Sequence, residues 1–167
     1  MPVDICNQDS GVPFDLVSNQ ITSATAPSVG TNPCWVMADG GSDEGVYVKF
    51  SIPKNYVGSP ALVIKGVLDG APSAGDDLGF GFRKRAVADN ESADGTFDAE
   101  QTTQNTDIGS TGSNYSNEDI YMTTISLTAG DYSVDDEVYG YLFIDASGTT
   151  YAGNFLLTTV ELQYADA

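Results

Sequence analysis

Two apolar runs lying close together constrain this chain more than any other feature. Val46, Val48, Phe50 and Ile52 alternate with Tyr47, Lys49 and Ser51. Successive side chains of a strand point to opposite faces, so this two-residue period reads as a half-buried strand. Pro53, Lys54 and Asn55 and then Gly58, Ser59 and Pro60 interrupt it, because proline has no N–H for a ladder and glycine permits a turn. Ala61 to Leu68 follows, apolar on both faces, the pattern of a strand enclosed within a sandwich.

Other segments repeat the theme. Cys34 to Ala38 is a short strand candidate. Leu78, Phe80 and Phe82 alternate with Gly79, Gly81, Arg83 and Arg85, and glycines on one face invite a close neighbour, either backbone or aromatic ring. Tyr121, Thr123, Ile125 and Leu127 alternate. Val138, Gly140, Leu142 and Ile144 alternate with Tyr139, Tyr141 and Phe143, which makes that strand central or partner-facing. Leu156 to Tyr164 alternates again. A further short strand is expected near Thr96 to Thr102. No segment has the 3.6-residue period of a helix. The expected fold is all-β: an antiparallel two-sheet β-sandwich, jelly-roll-like, over residues 34–167, preceded by an extended N-terminal arm over residues 1–33. That arm is broken by Gly, Pro, Ser and Thr. Its Val12, Phe14, Leu16 and Ile21 suit a segment lying along a sheet edge or a neighbouring molecule.

Charge excludes several functions. Against 24 acids stand 6 bases, a formal charge of −18, which repels a phosphate backbone or an anionic membrane. No run approaches a membrane span, and the first residues lack a signal-peptide pattern, so a cytoplasmic product is expected. The bases are unevenly placed. Arg83, Lys84 and Arg85 are consecutive, and from Ala86 to Asp136 there is no Lys or Arg, while acids are frequent. Such a triplet either docks one subunit on another or is a basic strand end balanced by its own acidic loop.

Reactive chemistry is sparse. There is no histidine, which removes the Ser–His–Asp triad, the Cys–His pair and most transition-metal sites. Cys6 and Cys34 are expected as two thiols in a reducing compartment, with a bridge between them the alternative. Asp98 and Glu100 are a carboxylate pair on a candidate strand, a weak glycosidase signal in so acidic a chain. Asp89 to Gly95 fails the register of a calcium loop. Asp76–Asp77 and Asp135–Asp136 read as solvated loop acids, with a shared cation the alternative. No enzyme activity and no cofactor are expected. The tyrosines, with Trp35, suit either a core, an interface or a sugar site.

A resemblance adds to this reading. Phe50 to Ile64, Leu127 to Tyr132, Asp135 to Val138, Phe143 to Ala146 and Val160 to Ala167 together resemble small all-β virion proteins of tailed bacteriophages. The resemblance covers roughly residues 46–167. It implies a capsid decoration (cement) protein on the virion surface, made in the host cytoplasm. It implies binding to the major capsid protein and self-association as a homotrimer. It supplies no catalytic residue. Candidate interface residues, outside the resemblance, are Arg83, Lys84, Arg85, Phe14, Leu16 and Trp35. The alternatives are another virion component (head fibre, tail or baseplate piece) and a carbohydrate-binding β-sandwich module.

Overall fold

A computed structural model describes residues 15–16, 28–29, 32–38, 43–92, 94–98, 100, 104–109 and 115–166. Its strands are β1 (Asp15–Leu16), β2 (Ser28–Val29), β3 (Asn32–Pro33), β4 (Trp35–Met37), β5 (Glu44–Ser51), β6 (Tyr56–Asp69), β7 (Asp77–Val87), β8 (Gln104–Asp107), β9 (Ile120–Ser126), β10 (Glu137–Ile144) and β11 (Asn154–Asp166). A single 3₁₀ turn, Ala129–Asp131, is the helical element among the described residues.

The long strands form two antiparallel sheets. One has the order β1-β5-β10-β7-β8 and the other β4-β11-β6-β9. Consecutive strands from β4 to β7 alternate between the sheets, which is jelly-roll wiring. The fold class is therefore the all-β, two-sheet sandwich expected from the alternation. Asp15 and Leu16 pair with Lys49 and Val48, so this part of the N-terminal segment lies along the chain's own sheet edge.

Each strand turns its apolar alternation inward. Val46, Val48 and Phe50 from β5, Phe80 and Phe82 from β7, and Val138 and Leu142 from β10 meet Leu62, Ile64, Tyr121, Phe155, Leu157 and Val160 from the opposite sheet, all nearly inaccessible to water. Phe80 and Phe155 pack edge to face at 5.0 Å and Tyr121 adds a ring at 6.1 Å to Phe155, joining the sheets. Each such large apolar side chain contributes about 1.5–3 kcal/mol by leaving water.

Two expectations need correction. Gly58, Ser59 and Pro60 do not end a strand. They bulge it: Ser59 has φ 51° and Gly58 φ 144°, and the pairing of β6 with β11 shifts register there. The extra residue is absorbed in a kink, as in other β-bulges, so β6 runs unbroken from Tyr56. The short strand expected near Thr96 to Thr102 lies further along, at Gln104–Asp107, paired with Asp77 to Phe80. Nothing in the local pattern of that polar stretch marks its register; β7 supplies it.

Candidate functional site

The outward face of the five-stranded sheet gathers aromatic and charged side chains in its middle. Register does this. Tyr141 of β10 sits opposite Tyr47 of β5 on one side and Arg83 of β7 on the other. Tyr139 sits opposite Lys49 and Arg85 in the same way. The inward positions are taken by the core, so these residues share the outer face.

The rings form a continuous surface. Tyr47 and Tyr141 are 4.9 Å apart by centroid, Tyr141 and Phe143 are stacked at 5.3 Å, and Phe97 stacks on Tyr47 at 5.9 Å from the loop after β7. Phe97 is 37% exposed, Tyr47, Tyr139 and Tyr141 are half-buried, and Phe143 is fully buried beneath its neighbours. Gly81 allows this: a Cβ there would stand 2.3 Å from the Phe143 ring. The Tyr141 hydroxyl donates to the Asp43 carbonyl at 2.9 Å.

Charged groups border the rings. The Arg83 guanidinium lies 4.5 Å over the Phe143 ring and reaches Asp43 at 2.8 Å and Glu100 at 3.7 Å. Lys49 binds Glu137 at 2.8 Å and stands 5.3 Å over Tyr139. Its hydrogen bond to Glu137 raises the Lys49 pKa, and that same bond, with one from the Ser51 hydroxyl, lowers that of Glu137. Burial raises the Glu100 pKa, with Asp145 adding to it. Beside Tyr139 an open cleft of about 550 Å³ is bordered by Val87, Ala88, Glu91, Asp135 and Glu137.

The basic triplet resolves into a clasp within the chain. Consecutive strand residues cannot share a face, so Arg83 and Arg85 point outward while Lys84 is buried at the rim of the sandwich. Lys84 binds Asp98 at 2.8 Å and Asp131 at 3.5 Å, and lies 5.2 Å over the Tyr132 ring. Arg85 donates to the Ser92 carbonyl at 2.7 Å. A Cβ at Gly95 would lie 1.6 Å from its guanidinium, so the arginine would have to shift to admit one. The triplet thus balances its own acidic loop and holds Phe97 over the tyrosines.

The remaining candidates are scattered. Trp35 is half-buried against the core through β4, which pairs with β11. Leu16 has its backbone in β1, while Phe14 and Cys6 lie outside the described residues. Cys34 is buried. Asp98 and Glu100 are each held by a different base, Lys84 and Arg83 respectively. Asp76 and Asp136 each accept a backbone N–H three residues back, from Ser73 and Ser133, which is turn-forming work. Among the described residues no group of three acids or cysteines is placed to hold a metal. Sequence reasoning put Tyr47 on a mixed face and left Phe97 in a polar loop. Only the β5–β10 register brings these two to Tyr141.

No protein-family model matches the sequence, and no curated protein does. Among solved structures the chain is similar to "xylan-binding module CBM15", at 14% identity and a TM-score of 0.41, over 99% of this chain and 96% of that one. It is also similar to "Family 16 Carbohydrate Binding Module-2", at 16% identity and a TM-score of 0.36, over 93% and 88% of the two chains.

Proposed function

We propose that this protein is a carbohydrate-binding β-sandwich module, with the outer face of the five-stranded sheet as its glycan platform. One observation carries the reading: Tyr47, Tyr141 and Phe97 make a contiguous, partly exposed ring surface on that face, bordered by Asp43, Arg83 and Glu137. Rings with one face free bind the C–H faces of a sugar, while fixed charged and hydroxyl groups at the border exchange hydrogen bonds with its hydroxyls. The ion pairs and the sheet hold these groups in place before a ligand arrives, which lowers the ordering cost of binding. Its carboxylates Asp43, Glu100 and Glu137 are each engaged by a base, an arrangement suited to holding a ligand in a fixed orientation.

Glycan-array screening followed by titration calorimetry tests this. Tyr47→Ala and Tyr141→Ala are each expected to weaken binding by about tenfold, the loss of roughly 1.4 kcal/mol of ring contact. Absence of binding to any polysaccharide at millimolar protein would overturn the reading.

A second reading, a virion decoration protein that binds a major capsid protein lattice and associates with its own copies, draws on a different surface. On the outer face of the four-stranded sheet Ile120 and Met122 stand 74% and 58% exposed, apolar groups suited to a protein contact. Co-sedimentation with empty phage shells separates the two readings, since glycan binding needs no shell.

A further inference from the structure

The outer face of the four-stranded sheet is unlike the rest of this acidic molecule. Register places Ile120, Val67, Leu156 and Val36 side by side across all four strands. In the next row Met122 adjoins Lys65, whose charge is cancelled by Glu161 at 2.8 Å. The row ends on β9, the last strand of this sheet among the described residues, and β9 contains no charged residue and no proline. Edge strands usually carry one or the other as a guard against pairing with another chain.

We infer that β9 pairs antiparallel with β9 of a second copy, joining two four-stranded sheets across a two-fold axis. The strand is complementary to itself. With the axis at Thr123, Ile120 falls opposite Ser126 and Met122 opposite Thr124 of the other copy, so each large side chain meets a small one on the same face. Electrostatics favours this occupant. Two copies of net charge −18 repel wherever their acids face each other, and β9 with its neighbouring rows is the uncharged strip at which they can meet. The acids before the strand, exposed Glu118 and half-buried Asp119, are carried apart by the antiparallel arrangement. Asp119 and its symmetry mate stand about 27 Å from one another, well beyond the screening length of about 8 Å. The chain's own N-terminal segment is a poorer occupant. Of its described parts, β1 is tied to β5 at the flank opposite β8, some 19 Å across the sheet, and β2 and β3 lead into β4, at the edge of the four-stranded sheet away from β9. The inference is independent of the glycan platform, which lies on the other sheet.

Sedimentation equilibrium of the full chain, from about 10 µM to 1 mM, with amide hydrogen exchange on β9 tests the pairing. The expected result is a monomer–dimer equilibrium that tightens with salt, with β9 amides gaining protection as the dimer forms. Ile120→Lys and Met122→Lys each make the chain less acidic and relieve repulsion, yet each is expected to weaken the dimer at least about tenfold. Both sites are exposed, so an unchanged melting temperature shows that the fold is intact. A monomer at every concentration, or a dimer indifferent to both lysines, overturns the inference. So does β9 protection that is the same at every concentration, which marks occupation by the chain's own N-terminal segment.

Discussion

Lys84 shows how much one buried base organises. Its side chain is 5% exposed and its two carboxylate partners, on Asp98 and Asp131, are 56% and 37% exposed. Replacing it by methionine keeps the apolar stem but removes both contacts. The carboxylates left behind can rehydrate, so the cost falls below that of orphaning a fully buried ion. Lys84→Met is expected to lower stability by about 1–2 kcal/mol in urea unfolding and to loosen Phe97 from Tyr47, read as loss of the nuclear Overhauser contact between the rings. Two glutamates respond to pH in opposite senses. Glu137, its pKa lowered by Lys49, contributes stability above the unfolded value of about 4.3, and this is lost as pH falls through the lowered folded value. Lys49, raised by the same bond, contributes below the unfolded lysine value for as long as Glu137 is ionised, and loses this as pH rises through its raised folded value. Both side chains are about 40% exposed, so solvent screening holds the pair to a few tenths of a kcal/mol. Glu100, raised by burial, favours the folded state at low pH and loses that advantage as pH rises through its folded value. Glu137→Gln should therefore unfold slightly earlier in urea at pH 7 than the native chain. Glu100→Gln should unfold at the same urea concentration or later, and an earlier midpoint would contradict the burial argument.

At the scale of the element, glycine and aromatic residues are matched across strands. Gly81 lies under Phe143, Gly140 under Phe82 and Gly66 under Phe155, each with room for no Cβ. The rings fill the gaps that the glycines leave, so strand interiors poor in side chains remain packed. Gly81→Ala should cost about 1–3 kcal/mol, because Phe143 is sealed beneath Arg83 and cannot swing away. Thermal or urea unfolding checks this, and the shift should exceed that of Gly75→Ala, where the added Cβ meets nothing and only the φ of 87° is strained. The long strands were legible because alternation is written into each segment: Val46 to Ser51, Leu78 to Arg85 and Val138 to Ile144 all lie in strands. The invitation of Gly81 to an aromatic ring was legible too, though not which ring. The bulge at Ser59 was not, because glycine, serine and proline mark turns and bulges alike, and only pairing with β11 separates the two.

For the whole molecule, acidity dominates. A formal charge of −18 on 167 residues destabilises the compact state by self-repulsion, since the bases are largely spent on local ion pairs. Added sodium chloride at neutral pH should raise the melting temperature, contrary to a fold that depends on surface salt bridges, and calorimetry across a salt series would show the sign. The same field leaves the two outer faces with different characters, one aromatic with paired charges and the other apolar and neutral at β9. Alternation and turn residues determined by themselves that the chain is built of strands in a sandwich, because these are properties of neighbouring residues. Which outward side chains stand together was decided only by tertiary structure. Tyr47 meets Tyr141, and Ile120 falls into line with Leu156 and Val36, through hydrogen-bond register between strands remote in the chain. A shift of one residue in either ladder would turn those side chains to the opposite face.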